Sequence, residues 1–419
     1  MTKLTRRDLL KGAALTTIAT PMIVPRTVFG AEDKAAPSER VTVAHIGVGG
    51  QGSGLLGGTL ACKSAQCIAV ADAYQDRRDA AAAVANAKAY ADFRKLFDQE
   101  KVDAIVVATP DHWHVPAAIY AGKRGIHAYV EKPLGLTIEQ NLTIAKLYKE
   151  KKLIFQYGTQ QRSQSHCYRG CELVRRGAIG KVKSIEVTAP NGGAGGSTQE
   201  APVPATLDYD LWIGPAPKVP YTVDRCVTPG TYFIYDYSIG YLGGWGAHPL
   251  DIMVWGSDAD LSGPITVEGK GEIPKGLYDV VINWEMDIML GDTPLSFKTG
   301  GDMTKYYGED GRWIDIRRGG LEASDPDILH SFDESAKSIL QPSRSGNHVE
   351  DFILAIKEGK RAVTSLEESV RSDIISHLCD IAVRTDSKVS WDPKKFEFIS
   401  APDAGKKMVS RPMRAPWTL

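Results

Sequence analysis

The feature that most constrains this chain is an apolar segment that runs directly into a cluster of glycines. Residues 41–58 read VTVAHIGVGGQGSGLLGG, and Val41–Ile46 predicts a buried β-strand. The next six residues match the pattern G-x-G-x-x-G: Gly47, Val48, Gly49, Gly50, Gln51 and Gly52. Glycines at these positions allow a tight turn and let backbone N–H groups at a helix N-terminus approach a phosphate. The segment therefore predicts a strand, a phosphate-binding turn and a helix.

A second strand with an acidic end favours a dinucleotide as the ligand of this turn. Cys67–Ala71 is apolar and ends at Asp72, twenty residues beyond Gly52. An acid at that place accepts hydrogen bonds from the adenosine ribose hydroxyls and repels a 2′-phosphate. No arginine directly follows Asp72, since Arg77 and Arg78 lie further along the chain. We therefore predict NAD binding, with NADP less favoured; a chance glycine turn is the alternative.

Apolar segments alternate with helical segments as far as residue 158. The predicted strands after Asp72 are Asp103–Thr109, Ile126–Val130 and Leu153–Tyr157, and the predicted helices are Val115–Arg124 and Thr137–Lys151. Strands that alternate with helices are typical of a doubly wound parallel sheet. We predict an α/β fold whose first domain is a Rossmann domain over residues 40–158.

Residues 159–419 predict a second domain, because no glycine fingerprint recurs there. Strand-like segments are Val182–Thr188, Thr266–Ile273, Val280–Met289 and Leu295–Lys298. Two segments read as amphipathic helices, Asn347–Lys357 and Leu366–Arg384. We expect the second of them to pack back against the first domain.

The chain begins with a segment typical of exported proteins. Arg6 and Arg7, followed by LLK, precede a weakly apolar run over residues 12–24 and the small pair Gly30-Ala31. A positive start, a short apolar centre and small residues predict a removable export signal of the twin-arginine class. We expect residues 1–31 to direct export to the periplasm or another extracytoplasmic space; a disordered basic tail is the alternative. The run is too short for a permanent membrane span, and no other run approaches that length.

Composition excludes several classes of partner. The chain has 419 residues, of which 43% are hydrophobic and 24% charged, as in an ordinary two-domain globular protein. Its net charge is −1, and residues 1–30 contribute +4, which leaves −5 and no basic block for the remainder. Nucleic acid is not expected as a partner, because it requires a clustered positive surface. The six cysteines show no metal-binding spacing.

Several motifs occur in a specific order along almost the whole chain. They are ATPDHWH (108–114), EKP (131–133), YGTQQRS (157–163), DLWIGPAP (210–217), GWGAHPLDIMVWG (244–256) and HLCDIAVRTDSKVSWDP (377–393). Together they resemble the Gfo/Idh/MocA family of oxidoreductases, which act on sugars and polyols, and in particular its exported, twin-arginine branch. The resemblance implies a second, α+β domain with an open, mostly antiparallel sheet that closes over the nicotinamide. It also implies a small-molecule sugar or glycoside substrate and a homo-oligomer formed through that sheet.

Oxidising an alcohol to a ketone requires a hydride acceptor and a base for the hydroxyl proton. The resemblance implies that the base is Lys132 of the E-K-P motif; a surface Glu-Lys pair is the alternative. It implies a proton-handling or substrate-binding role for His248, for which a packed turn histidine is the alternative. In the family a histidine follows an aspartate by four residues, but this chain has Gly244 at the aspartate position. The missing role then falls to Asp236, Asp251 or a water molecule.

The loops after the strands supply the remaining candidate contacts, because each strand of a doubly wound sheet delivers its C-terminal loop to the cofactor crevice. Besides the glycine turn and Asp72, the predicted cofactor contacts are Thr109, Pro110, His112, His114, Glu131, Lys132 and Gln160. The predicted substrate contacts are Trp113, Gln161, Arg162, Tyr237, Trp245 and His248. For Gln160, Gln161 and Arg162, which follow the last strand of the first domain, a role in a hinge between the domains is the alternative. Tyr209, Trp212, Tyr237 and Trp245 are candidate aromatic platforms for sugar rings. The alternative is that they belong to the hydrophobic core, which is the more common place for aromatic side chains. No metal is predicted at His112 and His114, because no carboxylate cluster accompanies them.

Export limits the reactions that such an enzyme can perform. Outside the cytoplasm there is no NAD pool, so the cofactor must travel bound and be regenerated within each turnover. The first hypothesis is a sugar, polyol or glycoside oxidoreductase with tightly held NAD. The second is an NAD-dependent glycoside hydrolase or lyase that proceeds by oxidation at C3, elimination, addition and reduction. The third is a non-catalytic sugar-binding protein on the same fold.

Overall fold

A parallel β-sheet forms the first part of the described chain. The structure, a computed structural model, describes residues 39–257, 263–332 and 335–419, and the predicted export signal at residues 1–31 lies outside them. Within the described residues this sheet has six strands: β1 Val41–Ile46, β2 Ala65–Ala71, β3 Lys88–Tyr90, β4 Ala104–Val107, β5 His127–Val130 and β6 Phe155–Tyr157. They are parallel and lie in the order β3-β2-β1-β4-β5-β6. The order reverses between β1 and β4, which is where doubly wound sheets bind ligands.

Helices pack on both faces of this sheet. They are α1 Gly50–Ala61, α2 Gln75–Ala85, α3 Phe93–Gln99, α4 His114–Lys123 and α5 Ile138–Lys151. Every side chain of β4 is 0% exposed, which explains why this strand is apolar at successive positions. The predicted α/β fold with an N-terminal Rossmann sheet is confirmed. Helix α5 begins one residue later than predicted, because the Thr137 hydroxyl caps it by accepting a hydrogen bond from Gln140 N (3.3 Å).

The second sheet is larger and mostly antiparallel. The described residues contribute nine strands to it: β7 Ser184–Ala189, β8 Ile265–Glu272, β9 Asn283–Leu290, β10 Thr293–Thr299, β11 Met303–Tyr307, β12 Trp313–Arg317, β13 Gly320–Ala323, β14 Val389–Asp392 and β15 Glu397–Ser400. Their order is β13-β12-β11-β7-β10-β9-β8-β14-β15, in which only β7 and β10 pair in parallel. The predicted open sheet is confirmed. The predicted strand at Val280–Met289 is shorter at its start, since β9 begins at Asn283, and the sequence pattern does not predict β11–β15.

Further helices join or flank the second sheet in the described part of the chain. They are α6 Ser165–Arg175, α7 Tyr209–Ile213, α8 Tyr241–Gly244, α9 Ala247–Gly256, α10 Pro326–His330, α11 His348–Glu358, α12 Leu366–Thr385 and α13 Asp403–Lys407. Helices α11 and α12 correspond to the two predicted C-terminal helices. Helix α11 packs against the first sheet, because Val349 and Phe352 share a buried cluster with Val43 of β1. No helix among the described residues combines the length and the apolar character that a membrane span needs.

Helix α12 differs from the amphipathic helix that its sequence pattern predicts. Its buried positions include polar residues that the pattern would leave in solvent: Ser369, Ser372, Asp373, Ser376, His377 and Asp380. The Asp373 carboxylate accepts hydrogen bonds from Leu134 N (3.2 Å) and from Asn141 Nδ2 of α5 (2.6 Å). A buried carboxylate is tolerated only where such donors satisfy it. Helix α12 is therefore tied to the E-K-P loop and to α5 through its polar side chains.

The glycine-rich turn joins β1 to α1, and its glycines serve two different purposes. Gly47 has a φ of 81°, and a Cβ there would lie 2.6 Å from the carbonyl oxygen of Ala108. A Cβ on Gly52 would collide with the carbonyl oxygen of Gly47. Gly50, in contrast, faces open space, and at Gly49 the nearest atom to an added Cβ is a guanidinium nitrogen of Arg77 at 3.4 Å. Two glycines therefore permit close packing, and two leave the N-terminus of α1 accessible.

Replacing Gly52 with alanine should destabilise the fold by about 2–3 kcal/mol, because the new methyl group has no room beneath the turn. Gly54→Ala is the matched control in the same helix, since an added Cβ at Gly54 meets nothing within 4 Å. That control should stabilise the protein by about 0.5–1 kcal/mol through helix propensity. Thermal and urea unfolding of the two variants measure the difference. Equal stability of the two variants would show that the turn packs differently.

Candidate active site

A cavity of about 310 Å³ opens at the carboxyl edge of the first sheet, beside the point where the strand order reverses. It brings together predicted cofactor residues from three loops: Gly47, Gly49, Gly50, Gln51, Asp72, Thr109 and Pro110. Residues from the second half of the chain complete the wall, among them Trp212, Thr231 and Tyr232. Val48 and Gly52 are buried beneath the turn. The glycine turn, the ATPDHWH loop and residues from the second half of the chain therefore share one cavity wall.

Asp72 both shapes the glycine turn and faces this cavity. Its Oδ2 accepts a hydrogen bond from Val48 N (2.8 Å), and its Oδ1 accepts one from Tyr74 N (2.9 Å). Burial raises the pKa of this carboxyl, while the two backbone bonds and the guanidinium groups of Arg77 and Arg78 oppose that rise. Asp72 therefore lies at the end of β2, and two backbone N–H groups hold its carboxyl in place.

Arg77 lines the cavity although it lies five residues beyond Asp72 in the sequence. It lies in the first turn of α2 and lines the same cavity as Asp72. Its guanidinium stacks on the Tyr74 ring, 3.9 Å from the ring centroid, and approaches Gly49 of the turn. The helix that follows β2 brings Arg77 back over the turn. Its position one turn into a helix, rather than directly after the acid, is the signal that could have found it.

The Glu131 carboxyl collects the ends of several loops. Its Oε1 accepts hydrogen bonds from Gln160 Nε2 (2.6 Å), Gln51 Nε2 (3.1 Å) and the Tyr129 hydroxyl (3.2 Å). The side chain is 3% exposed, and burial raises its pKa, while the charge of Lys132 opposes that rise. Gln51, Glu131 and Gln160, all predicted as cofactor contacts, therefore contact one another. Their bonds join the glycine turn to the ends of β5 and β6.

Lys132 follows Glu131 and is half-buried. Its ammonium group makes no hydrogen bond or ion pair with the described residues. Its charge nevertheless lowers the pKa of four neighbouring groups. At Asp111 and Glu131 it opposes the rise in pKa that burial causes. At His114 and His248 it adds to the fall in pKa that burial causes. Lys132 is thus a cation held among titratable groups with its donors unused. This arrangement leaves the ammonium group available to a bound molecule.

His248 lies near the start of α9, one helical turn after Gly244. It is 4% exposed, and its buried Nδ1 has no hydrogen-bond partner among the described residues. Burial lowers the pKa of His248 well below its usual value, and the charges of Lys132 and Arg318 act in the same direction. The imidazole is therefore neutral at physiological pH. A buried neutral imidazole with an unused nitrogen is suited to accept a proton or a hydrogen bond.

Gly244 leaves a space where the family pattern has an aspartate. A Cβ there would contact only Pro133 Cδ of the E-K-P motif, at 3.9 Å. Asp251, one of the three expected replacements, does not fill this space, because its carboxylate is fully buried and pairs with Arg162 (2.7 Å). Asp236, the second, is half-buried, and burial raises its pKa. The gap beside Pro133 is therefore not filled by a carboxylate at either position.

Asp111 of the ATPDHWH motif is a candidate proton carrier that the sequence pattern does not identify. It is 2% exposed, and its Oδ2 accepts a hydrogen bond from the Ser238 hydroxyl (2.6 Å). Burial raises the pKa of Asp111 to about 7, against the opposing effects of Ser238 and Lys132. A carboxyl that titrates near neutrality close to Lys132 is suited to exchange protons. Its position between two residues already assigned to the cofactor loop is the signal that could have found it.

The two histidines of the same motif brace loops, and they do not point at a common centre. His112 Nε2 bonds to the carbonyl of Trp212 (3.0 Å), as does Trp113 Nε1 (3.0 Å). The His114 ring lies between the carbonyls of Pro133 (2.6 Å) and Thr109 (2.9 Å). Burial lowers the pKa of His114 to about 4, so its single N–H donates to one of these carbonyls at neutral pH. Among the described residues no group of three or more His, Cys, Asp or Glu side chains is placed to hold a metal ion.

Five of the six predicted substrate contacts fall into two groups, and the sixth, Trp113, lines the cavity. Gln161, Trp245 and His248 lie together: Gln161 Nε2 and Trp245 Nε1 both donate to Asp302 Oδ2, at 2.9 and 3.2 Å. The Trp245 and His248 rings are 6.5 Å apart between centroids. Asp302 also accepts a hydrogen bond from Arg318 Nε (2.9 Å). The sequence pattern identifies neither Asp302 nor Arg318, because both lie in turns of the second sheet.

Arg162 and Tyr237 do not belong with that group, and their predicted substrate contacts are corrected. The Arg162 guanidinium is 0% exposed and pairs with Asp251 (2.7 Å) and Glu368 (3.2 Å). These ion pairs occupy the buried guanidinium, and removing a partner would leave a buried charge without compensation. Tyr237 is also 0% exposed, with its ring packed against His112 (5.0 Å) and Trp212 (4.9 Å). Both side chains therefore stabilise the walls of the cleft.

Asp111→Asn should change how the stability of the protein depends on pH. Because the folded pKa is about 7, against an ordinary value of 3.8, the folded state holds a proton that the unfolded state releases. The free energy of unfolding of the native protein should therefore fall as pH rises from about 4 to about 7, by up to about 4 kcal/mol from this group. Asparagine cannot ionise and should remove that contribution.

Urea unfolding at several pH values measures this effect as the difference between the two proteins. Asp98→Asn is the control, because the Asp98 side chain is 65% exposed. A difference between native protein and Asp111→Asn that does not change with pH would contradict the raised pKa of Asp111.

Two sequence models match the chain. The model described as the oxidoreductase family's NAD-binding Rossmann fold matches residues 41–159, and the model of its C-terminal alpha/beta domain matches residues 192–419. Among curated proteins, a glycosyl hydrolase family 109 protein of Solibacter usitatus is 30% identical over 183 residues, 40% of this chain and 39% of that protein. The levoglucosan dehydrogenase of Pseudarthrobacter phenanthrenivorans is 29% identical over 97 residues, 23% of this chain and 25% of that protein. The chain thus matches well under half the length of each relative.

Solved structures share the fold at low identity. A levoglucosan dehydrogenase in complex with NADH matches with a TM-score of 0.64 and 17% identity, over 84% of this chain and 99% of that chain. The myo-inositol 2-dehydrogenase of Lactobacillus plantarum matches with a TM-score of 0.58 and 16% identity, over 84% and 99%. The first sequence model covers the residues of the first sheet, and the second model covers most residues of the second sheet. The chain therefore belongs to the Gfo/Idh/MocA family of oxidoreductases.

Proposed function

We propose that this chain is an NAD-dependent oxidoreductase that acts on a hydroxyl group of a sugar, polyol or glycoside and holds its cofactor tightly. The observation that carries the proposal is the unused Lys132 ammonium, which lies among titratable groups at the end of β5, with His248 and Asp111 as neighbours. Family membership and the likeness to sugar dehydrogenases support it. The contribution of both halves of the chain to the cavity wall supports tight retention of the cofactor.

The residues around the cavity fit NAD. Gly49 and Gly50 leave the N-terminus of α1 accessible, which suits a pyrophosphate. Asp72 faces the cavity at the place where an adenosine ribose would bind. His248 is not among the residues that line this cavity, and its buried Nδ1 has no partner among the described residues. When bound, NAD supplies an acceptor for the hydride that leaves the carbinol carbon. No described side chain offers that chemistry itself.

The proton chemistry is assigned to this chain's own side chains. Lys132 Nζ gives its proton to Asp111 and then, as the free amine, accepts the proton of the substrate hydroxyl as the carbonyl forms. Neutral His248 orients that hydroxyl by accepting or donating a hydrogen bond. Asp111 exchanges the proton onward from Lys132, because its pKa of about 7 makes both of its forms available near neutrality. Glu131 holds the loop that carries Lys132.

A glycoside hydrolase or lyase reaction is the second candidate, favoured by the likeness to glycosyl hydrolase family 109 proteins. In that reaction oxidation at C3 acidifies the C2 proton, a base removes it, and the aglycone leaves. Water then adds and the ketone is reduced again, so the cofactor ends each turnover in its initial state. The reaction needs two proton-handling groups, and Lys132 with His248 or Asp111 would supply them. A non-catalytic sugar-binding protein is the remaining alternative, to which Gly244 lends support.

Removing Lys132 should separate chemistry from cofactor binding. Lys132→Ala should keep NAD, because the glycine turn and Asp72 hold it, while turnover falls by roughly a hundred- to ten-thousandfold through loss of the base. His248→Ala should also lose turnover and keep the cofactor. The measurements are calorimetric NAD binding and steady-state turnover on sugars and aryl glycosides. Full activity of both variants would contradict the assignment of these residues.

Turnover of an aryl glycoside in deuterated water distinguishes the two reactions in the same preparation. Elimination exchanges the C2 proton of the released sugar for deuterium, whereas simple oxidoreduction leaves it unchanged. Mass spectrometry of the sugar reads the outcome. Binding of sugars with neither turnover nor exchange would favour the non-catalytic alternative.

NAD should bind more tightly than NADP, because the Asp72 carboxylate would repel a 2′-phosphate. Asp72→Ala should weaken NAD binding and narrow the difference. Arg77 lines the same cavity but carries a positive charge, which would attract the 2′-phosphate of NADP. It therefore provides a test in the opposite direction from Asp72. Arg77→Ala should therefore widen the preference for NAD, as measured by calorimetry with both nucleotides. Equal affinities of the native protein would contradict the assignment of NAD.

We further propose export through the twin-arginine route, directed by residues 1–31 and ending in the periplasm or another extracytoplasmic space. Adjacent Arg6 and Arg7 with the short apolar run support this. Arg6→Lys with Arg7→Lys should leave folded, active precursor in the cytoplasm, measured by fractionation and immunoblotting. Unchanged export would contradict the route.

We also propose self-association through the second sheet, whose strand β9 exposes alternate residues, including Met289 at 40%.

A further inference from the structure

A polar cluster beside His248 has binding capacity that the described contacts leave unused. Asp302 Oδ2 accepts three hydrogen bonds, from Gln161 Nε2, Trp245 Nε1 and Arg318 Nε. Asp302 Oδ1 accepts none from the described residues, although a carboxylate oxygen has two lone pairs. Three donors on one oxygen fix the carboxylate plane. The other oxygen is thereby presented as an oriented acceptor.

Arg318 offers the complementary donors. Its Nε is used by Asp302, but its two Nη groups make no hydrogen bond with the described residues. The side chain is 42% exposed, so these donors are within reach of a solute. Its guanidinium lies over the Trp245 ring, 5.4 Å from the centroid, which limits its freedom of movement. A fixed acceptor and a fixed pair of donors thus lie side by side.

Contacts connect this cluster to the proposed catalytic centre. Trp245 follows Gly244, which lies against Pro133 of the E-K-P motif, and its ring is 6.5 Å from that of His248. The charge of Arg318 is close enough to lower the pKa of His248. A molecule whose reacting carbon lies between Lys132 and His248 would therefore extend towards Asp302 and Arg318.

We propose that Asp302 and Arg318 form a subsite that binds two neighbouring hydroxyl groups of a neutral sugar, with Trp245 as its aromatic wall. One hydroxyl donates to Asp302 Oδ1, and the oxygen of the next accepts from Arg318 Nη. The charges of the pair cancel, which favours a neutral diol over a uronic acid. The aromatic surface of Trp245 that Arg318 leaves uncovered suits the C–H face of a pyranose. This inference rests on the proposed function and adds the group by which the substrate is recognised.

The test pairs protein variants with deoxygenated sugars. The probes are 4-nitrophenyl glycosides of glucose, galactose and mannose, their singly deoxygenated analogues and the glucuronide, titrated calorimetrically into the NAD-loaded protein. For the sugar that binds best, removing one hydroxyl of a neighbouring pair should weaken binding roughly ten- to a hundredfold. In Asp302→Asn and in Arg318→Gln, removing the hydroxyl bound by that side chain should have little further effect.

Controls separate recognition from structure. Arg317→Gln is the matched control, since neighbouring Arg317 is 53% exposed and pairs instead with Asp315 (2.8 Å). It should leave the effect of every hydroxyl unchanged. Trp245→Phe keeps an aromatic ring without the bond to Asp302, and it should weaken all sugars alike without abolishing the dependence on Arg318. Thermal unfolding confirms that each variant is folded.

Each outcome decides for or against the subsite. Loss of discrimination in the two variants, together with an unchanged Arg317→Gln, supports it, even if no hydride transfer occurs and the proposed oxidoreductase function fails. Oxidation of sugars with no hydroxyl coupled to Asp302 or Arg318 overturns the subsite and leaves the proposed function standing. Tighter binding of the glucuronide than of the glucoside overturns the assignment to a neutral diol. Binding of none of these sugars overturns the subsite and the sugar-directed function together.

Discussion

Buried carboxyl groups at the carboxyl edge of the first sheet hold the whole site together. Glu131 joins the glycine turn to the ends of β5 and β6, and Asp373 of α12 holds the loop just beyond Lys132. Neither group could stay buried without these donors, because an unsatisfied carboxyl inside a protein costs several kcal/mol. Segments far apart in the chain are therefore bound to one another through the lone pairs of two side chains. The position of Lys132 depends on both.

The first domain could be read from the sequence because its signals are local. The strand β1, the glycines and Asp72 lie within about thirty residues, and each obeys a constraint of its own backbone, such as the positive φ of Gly47. Strands β11–β15 could not be read in this way, because short strands pair with partners distant in the chain. The polar residues of α12 suggested a solvent face, yet they are buried, since their partners come from other elements. Sequence periodicity shows polarity and cannot show pairing.

The same reasoning explains the candidate site. Lys132 and His248 were predicted through a resemblance, and their roles remain proposals, while Asp111 and Asp302 emerged only from their surroundings. Asp111 is unremarkable as a residue type; its burial beside Ser238 makes it a titrating group. Arg162 shows the reverse case, because a cation that follows β6 suggested a cleft contact and is instead buried with Asp251. What a charged side chain does is decided by its partners, and these belong to the tertiary structure.

The C-terminal segment reaches back to the first domain. Trp417 packs edge-on against Trp113 of the cofactor loop, at 4.7 Å between centroids, and the Arg94 guanidinium stacks on the Trp417 ring, 4.3 Å from its centroid. Arg414 binds the carbonyl of Gly214, just beyond the Trp212 segment that helps enclose the cavity. Trp417 and Trp113 are about three hundred residues apart in the sequence. The loop that carries the predicted cofactor contacts is therefore held by a contact of very long sequence separation, which forms only when distant parts of the chain have come together.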